Sequence, residues 1–217
     1  MKQARTGLLA RGPWRPDQVE VRWRDEPYEP GDELQRAADD AVTGLRERGS
    51  PAHDGMATRL AGWSANGECL RLELQPVRWA LRLLDDASGS MTALCVVRAE
   101  DGRWLAGRRA GWVSTWAGRW ALGAGGAVDL GESPAETLAR ELGEEWRLEP
   151  QRLTVEALVY LSNGMAMLIG LATVSDGCKP VPDEEHEDWA WWPADVENWP
   201  AEADERLKLM GRLLVDR

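Results

Sequence analysis

The stretch Gly123–Leu148, GAGGAVDLGESPAETLARELGEEWRL, runs from a glycine turn into a helix with a well-marked start. Ser133 and Glu136 have the spacing of a capping box, and Pro134 sits at the first helical position, where a missing N–H is tolerated. With the start fixed, every later residue takes its place on a helical wheel. Ala135, Leu138, Ala139, Leu142 and Trp146 recur at offsets of three and four and are expected to face a core, while Arg140, Glu141, Glu144 and Glu145 gather on another side. For stability that gathering is unfavourable, because like charges one turn apart repel by roughly a few tenths of a kcal/mol. Acids in the last turn also face the negative end of the helix dipole. A divalent cation reverses both effects, and hard Mg²⁺ takes oxygen ligands while keeping waters that a substrate can replace. Taken alone, three such glutamates also read as an acidic face turned to solvent.

The upstream spacing separates these readings. Gly126, five residues, Glu132, seven residues, Arg140-Glu141-Leu142, one residue, Glu144-Glu145, one residue, Arg147-Leu148 resembles the Nudix box. The departure is Arg147, where the family has glycine. A left-handed cap there costs a non-glycine residue about 1 kcal/mol, unless the helix ends in another way. The resemblance implies that Glu141, Glu144 and Glu145 hold a divalent metal, Mg²⁺ or Mn²⁺, helped by the Gly125 carbonyl, with Gly126 beside the substrate. It also implies that Arg140 orients the carboxylates and that Glu132 joins that network. Ala124 stands where the family commonly has proline.

Outward from this stretch, Arg108 and Arg109 close an expected strand where many Nudix proteins carry a phosphate-facing arginine; an edge arginine in water is the alternative. Asp183-Glu184-Glu185-His186-Glu187-Asp188 resembles the family's acidic loop before its last strand. Glu184, Glu185 and Glu187 are therefore candidates for general base or ligand, with Glu185 foremost, beside the reading of a solvated acidic turn. His186 is expected to be solvated, and His53 is given no role. Trp112, Trp116 and Trp120 could stack a base, although Trp120 is expected to pack beneath the glycine turn.

Several expected elements frame the site. Strands over Thr92–Ala99 and Arg103–Arg108 flank Asp101-Gly102. A short strand runs over Trp120–Gly123, and Leu153–Leu161 pairs with Met165–Val174 across Asn163-Gly164. A final helix covers Ala203–Val215, with Leu207, Met210, Leu213 and Leu214 on one side. Ahead of these, residues 1–31 lack either period and are read as an irregular arm. Asp32–Arg48 reads as a helix with Leu34, Ala37, Ala38, Ala41, Val42 and Leu45 on one face, ended by Gly49-Ser50-Pro51. Two strands between Met56 and Gln75 flank Asn66-Gly67 and are closed by Pro76. Val77–Asp85 reads as a short helix, and Ala87–Ser90 as a joint. The expected architecture is an α/β fold, the Nudix α/β/α sandwich with a mixed central sheet over 89–217, preceded by a small α+β extension over 1–88 that could build a homodimer interface.

Composition narrows the function. The 217 residues carry 37 acidic against 26 basic side chains, a formal charge of -11, the wrong sign for holding nucleic acid. Cys69, Cys95 and Cys178 stand far apart, which suggests neither disulfides nor zinc and makes the cytoplasm the expected compartment. No apolar run approaches the roughly 18 residues of a membrane span, and Met1–Trp14 does not read as a signal peptide. The expectation is a metal-dependent hydrolase of a small-molecule diphosphate. The substrate is a nucleoside diphosphate linked to another group, with nucleotide sugars suggested by the extension. A nucleoside triphosphate pyrophosphohydrolase and a Nudix-fold sensor without turnover are the alternatives. The family's isomerases use a cysteine near the strand before the box, absent from Trp120–Gly126, and the proline-rich stretch of NADH-specific members is not found. A regulator would be expected to bring a basic DNA-binding module, against the acidic balance.

Overall fold

The computed structural model describes residues 6–49, 54–113 and 115–215. Ser50, Pro51 and His53 lie outside the described residues. Eleven strands are described: β1 (Gly7–Trp14), β2 (Val19–Trp23), β3 (Met56–Ala65), β4 (Leu70–Arg78), β5 (Met91–Ala99), β6 (Trp104–Arg109), β7 (Trp120–Leu122), β8 (Ala124–Ala127), β9 (Arg152–Tyr160), β10 (Ala166–Val174) and β11 (His186–Trp192). The α-helices are α1 (Asp32–Glu47), α2 (Pro134–Trp146) and α3 (Glu205–Val215).

The larger sheet is ordered β1-β9-β10-β5-β6-β11, with β8 paired to β5 and β7 to β6. Only β10 and β5 run parallel within it, so the sheet is mixed as expected. The β9–β10 hairpin forms across Asn163-Gly164, with Gly164 at φ 74. The β5–β6 hairpin departs from simple expectation. Only Arg98 pairs with Trp104 before the strands part, β5 taking β8 and β6 taking β7 and β11. That parting lays the glycine turn along the middle of β5.

Helix α2 covers one face of the sheet. Leu138, Leu142 and Trp146 join the core there with Cys95, Leu105, Leu158 and Leu168, and a Cβ on Gly170 would run into Leu138. Ala139, expected in this stripe, is exposed. The other face carries α3, whose Leu207 and Leu214 pack with Trp104, Trp192 and Trp199. Helix, sheet and helix make the expected sandwich. Among the described residues no helix is long and apolar enough to cross a membrane.

The smaller sheet, β2-β4-β3, packs with α1 through a core that includes Ala38, Val42, Val77 and Leu81. Two sequence readings need correction here. Residues 7–14 and 19–23 are strands rather than an irregular arm, because they are held by partners remote in sequence: β1 lies antiparallel to β9 and β2 parallel to β4. Hence β1 belongs to the larger sheet, although it precedes the smaller one in sequence. Pro76 does not end β4, which continues to Arg78. Pairing with β2 stops at Leu74, so the missing N–H at Pro76 falls where that side of the strand is already an edge. The next segment, expected as a helix from Val77, is a 3-10 turn over Trp79–Leu83.

Candidate active site

Helix α2 begins as its sequence dictates. Ser133 caps it, its own N–H bonding Glu136 Oε2 at 2.9 Å. The other end is unusual. Arg147 takes the left-handed conformation at φ 55 and ψ 36, with its N–H bonded to the Gly143 carbonyl, so the geometry usual for glycine is kept by arginine. The last carbonyls of the helix do not face water. Val181 N–H bonds the Trp146 carbonyl and Asp183 N–H the Glu145 carbonyl, each at 2.9 Å, which fastens the acidic loop to the end of α2.

The charged side of α2 divides into two rows. Arg140 and Glu144 form the outer row, Glu144 being 59% exposed, whereas Glu141 and Glu145 face inward at 12% and 5%. Arg140 is the hub of the outer row. Its Nε and Nη2 grip both Glu132 oxygens at 2.9 and 3.0 Å, and its Nη1 reaches Glu141 and Glu144 at 2.8 and 2.9 Å. Thr137 Oγ1 also donates to Glu132 at 2.7 Å. These bonds, with Glu132 foremost, raise the Arg140 pKa. Burial pushes the Glu132 carboxyl up, but the Arg140 and Thr137 hydrogen bonds prevail and hold it below its usual range.

The inner row is less satisfied. Glu145 Oε1 accepts the Gly125 N–H at 2.9 Å, so the described contact of Gly125 is through its amide. Glu145 Oε2 is buried without a hydrogen-bond partner, its neighbours being His186 Nε2 at 3.5 Å and Arg109 Nη1 at 3.7 Å. Burial raises the Glu145 pKa well above the ordinary carboxylate value, against the pull of Arg109. Burial likewise raises Glu141, against Arg140. Gly126 leaves room for the Glu141 carboxylate, which a Cβ there would displace.

Beside the helix, Arg109 pairs with Glu185 Oε2 at 2.9 Å and is 12% exposed, which brings β6 and the acidic loop to the same carboxylates. Arg108 instead pairs with Glu187 at 3.3 Å, and Glu187 also accepts the Gly111 N–H. Glu184 is exposed. Glu132, Arg140, Glu141, Glu144, Glu145, Gly125, Gly126, Arg109 and Glu185 are thus assembled in one place; Arg108 and Glu187 pair apart from them.

Two aromatic expectations change. His186 is buried rather than solvated. Its ring stacks 4.4 Å from Trp146, with Nδ1 3.1 Å from Asp183, because β11 starts earlier than the acidic run suggested. Trp146, not Trp120, lies beneath the glycine turn, with its indole N–H bonded to the Gly123 carbonyl at 3.0 Å. Trp120 packs 5.6 Å from Trp192 and lines a cleft with Asp188, Trp189 and Pro200. The i,i+3 pair Asp183–His186 was the one sequence signal for a structured turn in this loop.

The donor set fits a hard divalent cation. It is all oxygen, it sits at a tight glycine turn, and it includes a buried carboxylate oxygen without a partner. Among the described residues no three acidic, histidine or cysteine side chains already stand as a metal cage; Arg140 and Arg109 occupy them instead.

The family model described as the NUDIX domain matches residues 90–211. No curated protein matches the chain in sequence. Among solved structures, the MutT Nudix hydrolase from Burkholderia pseudomallei is 22% identical, with 58% of this chain and 98% of that one covered and a TM-score of 0.47. The Nudix domain of Shewanella oneidensis NrtR complexed with ADP ribose is 24% identical, covering 57% and 86% with a TM-score of 0.45. A C. elegans Ap4A hydrolase is 22% identical, covering 57% and 92% with a TM-score of 0.44.

Proposed function

The chain belongs to the Nudix family of hydrolases, and from that premise we propose that it cleaves the diphosphate linkage of a nucleoside diphosphate joined to another group, using Mg²⁺ or Mn²⁺. The observation that carries this reading is the buried, unpartnered Glu145 oxygen beside Glu141 at the glycine turn. An acid held so is a poor choice for stability and a good one for gripping a cation.

Glu141, Glu144 and Glu145 would hold the ion, competing with Arg140 and Arg109 for these oxygens. Once bound, it would neutralise charge on the diphosphate and lower the pKa of an attacking water. Arg140 orients Glu141 and Glu144 while Glu132 fixes Arg140. Glu185, held by Arg109 and 36% exposed, takes the proton from the water. Arg109 offers donors to the phosphates, and Gly126 leaves room beside them. The three cysteines are free, which suits a reducing cytoplasm.

The test is product analysis of nucleoside diphosphate sugars, dinucleotides and nucleoside triphosphates incubated with Mg²⁺, comparing wild type with Glu144→Gln and Glu145→Gln: cleavage of a linked diphosphate yields two monophosphates, and cleavage of a triphosphate yields a nucleoside monophosphate and pyrophosphate. Turnover of the linked diphosphates that these variants abolish is the expected result. Preference for triphosphates would move the substrate class, and nucleotide binding with no turnover on any compound would overturn hydrolysis in favour of a sensor.

A further inference from the structure

One charged side chain near the site comes from outside the matched residues. Arg82 lies in the 3-10 turn Trp79–Leu83 of the amino-terminal part. The turn is fixed on both sides. Ala80 and Leu81 are fully buried against α1, and Trp79 N–H bonds the Gly55 carbonyl at 2.8 Å. Downstream, the N–H groups of Ala87 and Gly89 bond the Asn163 and Gly164 carbonyls, both at 2.8 Å, at the tip of the β9–β10 hairpin. Strand β3 meets the loop leading into α2, where Ala57 bridges Asp129 and Thr58 Oγ1 donates to the Asp129 carbonyl at 3.0 Å. The amino-terminal part is therefore docked beside the carboxylates.

Arg82 shares the electrostatic surroundings of this junction. The ionisable groups that act on it are Glu141, Arg109 and Glu185, one each from α2, β6 and the acidic loop. Among the described residues its guanidinium makes no hydrogen bond or ion pair; its close partner is the Trp79 ring, 5.6 Å from Cζ. The contrast with nearby arginines is plain. Arg59 bonds the Ser88 carbonyl and Gln75 and lies over Tyr28, and Arg78 is held by Asp54 and Asp39. Arg82 is half-buried, so its five donors are left to solvent and are open to a ligand that brings oxygens.

We infer that Arg82 is a substrate-binding residue, its free donors taking the oxygens of the phosphate that faces the amino-terminal part. The inference rests on the diphosphate reading above. Guanidinium matches phosphate in a two-point fork, and a second arginine besides Arg109 would add its own donors to the anion. The amino-terminal part then supplies part of the binding site.

The test uses the full chain. Calorimetric titration with inorganic pyrophosphate in Mg²⁺ is run on wild type, Arg82→Ala and Arg82→Lys, with steady-state kinetics on ADP-ribose or the best substrate of the panel and a melting curve for each. The expected result for Arg82→Ala is about tenfold weaker pyrophosphate binding, a rise mainly in KM, and a melting temperature that does not fall, with partial recovery in Arg82→Lys. A purely structural arginine would lower the melting temperature and leave pyrophosphate affinity alone. Unchanged affinity in Arg82→Ala overturns the inference even where Glu144→Gln abolishes turnover and hydrolysis stands. Failure of wild type to bind pyrophosphate overturns it as well, and failure to turn over any diphosphate overturns the reading beneath it.

Discussion

Helices α1 and α2 show how differently the two parts of the chain spend their polar residues. Helix α1 starts at Gly31 without a side-chain cap, buries only Ala38, Val42 and Leu45, and ends in an ordinary right-handed residue. Helix α2 has a full capping box, yet it buries Glu145, stacks acids in its last turns and ends on a left-handed arginine. The first is consistent at every level with being a packing element. The second is strongly specified at its start and opposed to its own stability at its end, the pattern expected where a site rather than a core sets the sequence.

Substitutions can break this contrast. The largest effect is expected from Glu145→Gln, which should lower Mg²⁺-dependent turnover by about 1000-fold, beyond the 10 to 100-fold typical of groups that only support metal ligands. In metal-free buffer the same variant should melt no lower than wild type, since it removes a carboxylate whose charged form burial already disfavours; a marked loss of stability would make Glu145 a structural acid. The mirror experiment is Leu45→Ala in α1, expected to cost about 2–5 kcal/mol by denaturant titration while leaving activity per folded molecule unchanged. A specific loss of kcat there would erase the distinction. Arg140→Lys keeps the charge but loses the fork that holds Glu132, Glu141 and Glu144, and should weaken Mn²⁺ binding by about 10 to 100-fold in a titration. Unaltered binding would reduce Arg140 to a surface ion pair. The smallest effect is at Arg147, where Arg147→Gly should raise stability by about 1 kcal/mol, read as an increase in denaturation midpoint. A decrease would mean that the arginine side chain earns its place by contacts.

Much of α2 and its charged rows was legible because the signals are local. Ser133, Pro134, Glu136 and the spacing from Gly126 to Glu145 all act within one turn and one helix. The β9–β10 hairpin was legible for the same reason, through Asn163-Gly164. What escaped depends on distant pairing. β1 and β2 are short, carry no clear alternation, and exist because β9 and β4 offer edges. Pro76 looked like a terminator until the extent of β2 was known. His186 read as a solvated histidine because its cover, Trp146 and Gly107, lies far off in sequence, and a Cβ on Gly107 would strike both rings. Arg82 belongs to the same class: a turn residue whose neighbours only folding reveals.

The chain enters the larger sheet at β1, leaves it to build the smaller sheet and α1, and returns at β5. Topologically the intervening part is a guest inside its host, tethered at both ends. Clipping the polypeptide at residue 88 to isolate the catalytic portion would strip a border strand from β9, leaving a naked ladder of amides and carbonyls prone to self-association. A soluble minimal enzyme would instead need residues 7–14 rejoined to β5 by a short linker.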